Sequence, residues 1–178
     1  WCLDAKSRES NGIDANLGYP GNLVYHKVED FACRELPDNT FDYLFSFGAF
    51  CHISWDGTLQ YMTNLYPKLR SGATAFVMIA DYEHYNRVRE NEYRYDVVSR
   101  ILNGSRFWRL QRRLRGLQAE PSLTFLGPDD EDMEPSPGRW YNTGTDRMAG
   151  LLRDLGYVVV QPDIGLVPRD TIVHFRKP

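Results

Sequence analysis

Four short apolar runs divide the first half of the chain: Trp1–Leu3, Leu23–Val28, Phe41–Phe47 and Ala73–Ala80. They do not alternate strictly with polar residues, and Asp38-Asn39 and Ser71-Gly72 punctuate before the last two. That pattern reads as strands buried on both faces. Between the third and fourth runs, Leu59, Met62, Leu65, Tyr66 and Leu69 recur at helical spacing. A helix is expected over Ser54 to Arg70, capped by Ser54 or Asp56, with Pro67 loosening its last turn. Strand, helix and strand with short joints form a βαβ unit, which implies a parallel sheet. Further on, Thr145 is expected to cap a helix carrying Met148, Leu151, Leu152 and Leu155, stopped by Gly156. Tyr157–Gln161 and Thr171–Phe175 read as strands. The link from Pro162 to Asp170 is too short for a helical crossover, so this pair should be antiparallel.

The stretch 82–141 breaks the alternation and is expected to be an insertion or lid in a single domain spanning residues 1–178. Within it, Arg100–Arg115 holds six arginines and no acid, with Phe107, Trp108, Leu110 and Leu114 between them, and Asp129–Glu134 holds five acids. The basic segment suits a lid, an anionic acceptor or a partner. The acidic run specifies too little geometry for a metal, so no metal is expected. A chain of 178 residues with net charge −3 argues against a protein whose main work is gripping nucleic acid. No apolar run approaches the ~20 residues of a membrane span. Cys2, Cys33 and Cys51 share no close spacing, which suggests neither a disulfide framework nor zinc and places the chain in a reducing, cytoplasmic setting. Trp1-Cys2-Leu3 is apolar from its first residue, so the chain is expected to lack residues upstream.

Two acids stand at strand ends. Asp4 follows Leu3, and Asp30 follows Val28-Glu29. Ligands of parallel α/β sheets bind beyond the carboxyl ends of strands. A carboxylate there can accept two hydrogen bonds from ribose hydroxyls, and a second, one strand over, can reach an adenine amine. Each acid taken alone is equally well a turn-former.

The run Glu35-Leu36-Pro37-Asp38-Asn39-Thr40-Phe41-Asp42-Tyr43-Leu44-Phe45-Ser46-Phe47-Gly48-Ala49-Phe50-Cys51-His52-Ile53 resembles the fourth-strand region of class I S-adenosylmethionine-dependent methyltransferases. Lys68-Leu69-Arg70-Ser71-Gly72-Ala73 followed by Phe76–Ile79 is similar to the family's lead into its fifth strand, with Ser71 and Ala73 replacing the usual Pro and Gly. The reversed final strand matches as well. The resemblance implies an α/β, Rossmann-like sheet with an antiparallel last strand, here without the family's first strand and glycine-rich loop. It implies S-adenosylmethionine as cofactor, Asp4 as the ribose acid and Asp30 as the adenine-side acid with Phe31 beside the base. Ser46, Phe47 and Gly48 would end the fourth strand facing the cofactor. For Phe45 core packing is favoured. Phe47 and Phe50 stand evenly between core and pocket.

Methyl transfer needs a positioned acceptor and exclusion of water, and a hydroxyl acceptor must also lose a proton. His52 is the candidate base, with capping or packing under the next helix as its other reading, and Asp81 at the end of the fifth strand is the second catalytic candidate. Tyr82, His84, Tyr85 and Asn86 form a polar cluster on the same rim. Tyr82, Trp140 and Tyr141 are candidate substrate-binding residues, aromatic faces being platforms for sugars and flat rings. The phrase Phe45–Ile53 together with Met78–Tyr82 is most similar to bacterial sugar O-methyltransferases, so the expected acceptor is a small hydroxylated molecule such as a sugar. The 178 residues alone are expected to be inactive, and the whole protein active. Two other readings remain open: a nicotinamide-dependent oxidoreductase, which would finish with parallel strands, and a non-catalytic methyltransferase-like module binding a partner through its basic arm.

Overall fold

The apolar runs become six strands in two sheets, seen in a computed structural model that describes residues 1–18, 21–91 and 140–178. Strands β1 (Cys2–Asp4) and β2 (Tyr25–Lys27) pair in parallel, with Leu3 opposite His26. Strands β3 (Phe41–Ser46), β4 (Leu69–Ile79), β5 (Val158–Gln161) and β6 (Thr171–Arg176) form a second sheet in the order β3-β4-β6-β5. Strands β3 and β4 are parallel, while β6 runs antiparallel to both β4 and β5. The short 162–170 link therefore forces the reversal its length implies. The segments Arg100–Arg115 and Asp129–Glu134, and most of the expected lid, lie outside the described residues.

Helix α1 (Ile13–Leu17) is a single short turn between Gly12 and Gly18, which the apolar pattern does not signal. Helix α2 (Trp55–Leu65) begins where Ser54 Oγ accepts the Gly57 N–H at 3.2 Å. It stops earlier than its periodicity suggests, because Pro67 tightens residues 66–68 into a 3₁₀ turn. Its buried face is centred on Thr58, Met62 and Leu65. Leu59 turns outward, and Leu69 already belongs to β4. Strand β4 also starts before Ser71-Gly72. The positive φ of Gly72 takes up a register shift between Phe41–Leu69 and Tyr43–Thr74 without ending the strand.

Helix α3 covers 82–91, and helix α4 spans Thr145–Asp154. Met62 and Leu65 of α2 and Met148, Leu151 and Leu152 of α4 pack on Ala75, Val77, Ile79, Val173 and Phe175. This is one face of the larger sheet. Its other face carries Tyr43, Phe45 and Phe47, which are 55, 61 and 57% exposed. Phe45 is thus not a core residue. Its position alternates with Leu44, which takes the inward face.

Thr145 is the first residue of α4 rather than its cap. Gly144 holds that place, and the free N–H of Thr145 donates to Asp81 Oδ2 at 2.9 Å. The Thr145 hydroxyl donates to the same oxygen at 2.6 Å, and His84 N–H in the first turn of α3 donates to Asp81 Oδ1 at 2.9 Å. One carboxylate thereby caps two helices. Burial alone would push the Asp81 carboxyl up, but the hydrogen bonds from His84 and Thr145 outweigh it and hold the group below its ordinary value. Its contribution to stability is therefore complete above the unfolded value near pH ~4, and is lost as pH falls through the lower folded value. Asp81→Asn is expected to cost about 1–2 kcal/mol at neutral pH. Urea unfolding of both proteins should show that difference shrinking toward zero in strong acid.

Candidate functional site

The carboxyl ends of β1, β2 and β3 open on one cavity of about 510 Å³, within the range of small-molecule sites. Asp4, Asp30, Phe31, Gly48, His52 and Tyr61 line it. Four of the six residues that the sequence nominates for the cofactor meet here, together with one of its two catalytic candidates.

Asp4 is the last residue of β1, and the turn that follows folds back so that Lys6 N–H donates to Asp4 Oδ1 at 2.8 Å. Asp4 Oδ2 meets no partner among the described residues, so it remains an open acceptor on the cavity wall. Asp30 sits in the turn after β2. Its Oδ1 accepts the Ala32 N–H at 2.9 Å, and its Oδ2 accepts Arg34 Nη1 at 2.8 Å. The Arg34 pair is exposed, and such a pair exchanges readily with water or a ligand.

Phe31 forms an aromatic wall with Tyr61, their ring centroids 5.5 Å apart, and Tyr61 in turn meets Phe50 at 5.4 Å. Burial pushes the Tyr61 phenol well above its ordinary value, so it stays neutral and donor-capable. Gly57 makes this wall possible. A Cβ there would lie 2.6 Å from Phe31 Cε2 and 2.7 Å from Ile53 Cγ2, so only glycine lets the Phe31 ring rest on α2. Tyr61 and Gly57 escape sequence reasoning because one reads as helix surface and the other as a helix defect.

Gly48 follows β3 with φ of 77°, a conformation that turns the chain away from the strand end and leaves the backbone uncovered beside the cavity. The chain then enters a 3₁₀ turn, Phe50–His52, whose last residue brings His52 to the rim. Phe50 is buried core. Ser46 faces a neighbouring trough rather than this cavity, and Phe47 stacks on Phe45 on the exposed sheet face, centroids 6.5 Å apart.

The acceptor-side candidates collect beyond the end of β4. Tyr82 Oη donates to Trp140 O at 2.6 Å, and both residues pack against Cys51, Met78, Ala80 and Ile172. Tyr141 N–H donates to Cys51 O at 2.9 Å, which ties this segment to the residue preceding His52. Asp81 lines a separate polar cleft of about 610 Å³ with His84, Asn142, Thr143 and Asp163. The hydroxyl of Thr143 is buried there without a partner. Among the described residues no group of three or more His, Cys, Asp or Glu side chains could hold a metal ion, and no helix is long and apolar enough to cross a membrane.

No family profile matches the chain, and no curated protein does. Solved structures do match. An S-adenosylmethionine-dependent methyltransferase of Methanosarcina mazei superposes with a TM-score of 0.55 at 13% identity, covering 98% of this chain and 80% of its own. A protein of Pyrococcus horikoshii gives 0.54 at 15% identity, with 99% and 70% covered. An O-methyltransferase family protein of Burkholderia thailandensis gives 0.52 at 11%, with 94% and 40% covered. The chain shares their fold, the class I methyltransferase fold with its mixed sheet.

Gly57→Ala is expected to drive the Phe31 ring off the cavity wall and to cost about 1–3 kcal/mol. Thermal unfolding and the ring resonances of Phe31 and Tyr61 read the change. Gly150→Ala, where a Cβ meets open space within α4, should be neutral or stabilising.

Proposed function

We propose that this chain carries the cofactor site of an S-adenosylmethionine-dependent methyltransferase acting on the oxygen of a small hydroxylated acceptor, a sugar being the acceptor its sequence favours. The observation that carries the reading is the convergence of Asp4, Asp30, Phe31, Gly48 and His52 on one cavity at the carboxyl ends of three strands. Those residues fit the group. The open oxygen of Asp4 suits ribose hydroxyls, and the second acid suits an exocyclic amine. The Phe31–Tyr61 wall suits a flat base, and no phosphate-binding cation is required. When bound, the cofactor supplies an electrophilic methyl group on a cationic sulfur.

The chain's own residues have three tasks. Asp4 and Asp30 bind and orient the nucleoside portion. The apolar surround of Leu3, Val28 and Ile53 excludes water from it. His52, at the rim, takes the proton from the acceptor hydroxyl, a role matched to an imidazole near neutral pH. Trp140 and Tyr141, joined through Cys51 to the turn that bears His52, border the acceptor side, and the polar cleft at Thr143 offers hydroxyl partners beyond them. Asp81 serves this side by fixing α3 and α4 rather than by proton transfer, since both its oxygens are occupied.

Calorimetric titration of the protein with S-adenosylmethionine and with S-adenosylhomocysteine tests the reading. Saturable binding is expected, weakened about 10–100-fold by Asp4→Ala, as loss of hydrogen bonds to a charged acceptor implies. Failure of both ligands to bind, or equal binding by the variant, overturns it. His52→Gln should leave cofactor affinity within a few-fold and depress turnover about 10²-fold or more in the active protein. An equal loss of affinity would make His52 a packing residue instead.

A further inference from the structure

We infer that the gap between β1 and β3 is the seat of one further β-strand, apolar and parallel to both neighbours, supplied by polypeptide other than the described residues. Four observations converge on it, and none depends on the methyl-transfer reading.

The first is a pair of open edges. Cys2 N–H donates to Val24 O and Asp4 O accepts from Val28 N–H, so β1 spends these groups on β2. By the alternation of a ladder, the Leu3 N–H and C=O between them project from the opposite edge. Strand β3 is likewise the terminal strand of its sheet, paired only with β4. Unpaired ladder edges flanked by apolar side chains are templates for another strand.

The second is that both edges border one trough of about 220 Å³. Cys2 and Leu3 wall it on one side and Phe41, Leu44 and Ser46 on the other. Its remaining lining includes Phe50, Ile53, Tyr61 and Leu65, which carry no charge. Third, the two strands run the same way. Trp1, before β1, meets Phe41, the start of β3, with ring centroids 5.7 Å apart. At the other end Asp4 and Gly48 share the ligand cavity. An inserted strand parallel to one neighbour is then parallel to both, and strands in that setting are near-continuous Val, Ile and Leu.

Fourth, the trough and the ligand cavity share Leu3, Ala49, Ile53 and Tyr61 as a common wall. A strand in the trough would therefore end beside Asp4 and Gly48 and complete that side of the cavity. Main-chain pairing on two edges gives such a guest its affinity, and the apolar floor gives it selectivity. A second copy pairing β3 to β3 is the competing occupant.

The test uses the 178-residue chain and a soluble peptide of about six alternating valine and isoleucine residues flanked by lysines, a typical strand length. Saturable binding below about 1 mM is expected. It should slow hydrogen exchange at the Leu3 amide and at β3 amides turned from β4 by about 10-fold or more, and should move the Trp1 indole resonance. The same peptide with proline at alternate positions keeps the apolar surface but lacks the donors, and should bind at least 10-fold more weakly. Three outcomes overturn the inference: no saturation, equal binding of the proline peptide, or protection of β3 that grows with protein concentration without peptide. Cofactor titration plays no part in the readout, so failure here leaves the proposed methyl transfer standing, and the reverse holds too.

Discussion

The end of β4 is the joint on which the arrangement depends. The chain leaves the sheet at Ala80 and Asp81, and residues 143–145 return to the same two positions. Thr143 and Gly144 donate their N–H groups to Ala80 O at 3.0 and 3.1 Å, and Thr145 gives both its donors to Asp81. A strand terminus normally leaves a carbonyl and a following turn to water. Here they receive the backbone of another segment and the starts of two helices. Because α4 supplies Met148, Leu151 and Leu152 to the core, the joint also sets how that helix lies on Val173 and Phe175.

This joint explains what was legible in the sequence and what was not. Strands β1 to β4, helix α2 and the antiparallel finish could be read because apolar runs, a capping serine and a nine-residue link each act locally. Asp81 could be placed at a strand end but not assigned a task, since a carboxylate looks the same in sequence whether it meets a substrate or two helix termini. Thr145 looked like a cap because threonine favours that position, yet a carboxylate far away in the chain had already taken the role. Phe45 looked like core because its strand is apolar throughout. Only the packing of α2 and α4 on a single face shows which alternate residues point outward.

The candidate site was legible for a related reason. Residues at the carboxyl ends of neighbouring parallel strands must meet, whatever the packing elsewhere, so Asp4, Asp30 and Gly48 converge once the strands are right. What escaped is the supporting wall. Tyr61 and Gly57 act through contacts 2.6 to 5.5 Å long with Phe31, made possible by the docking of α2 and invisible to helical spacing. The aromatic face of Tyr43, Phe45 and Phe47 belongs to the same lesson: a strand reads as doubly buried while one of its faces is open.

The three cysteines differ in a way that experiment can exploit. Cys33 and Cys51 are buried, and burial pushes both thiols above their ordinary values, that of Cys33 to about 11. Cys2 is half-buried on the wall of the trough, its thiol raised less completely by burial and by Asp4. An alkylating fluorophore or spin label added in mild alkali should therefore attach at one position, giving the native sequence its own reporter at the sheet edge without any engineered handle.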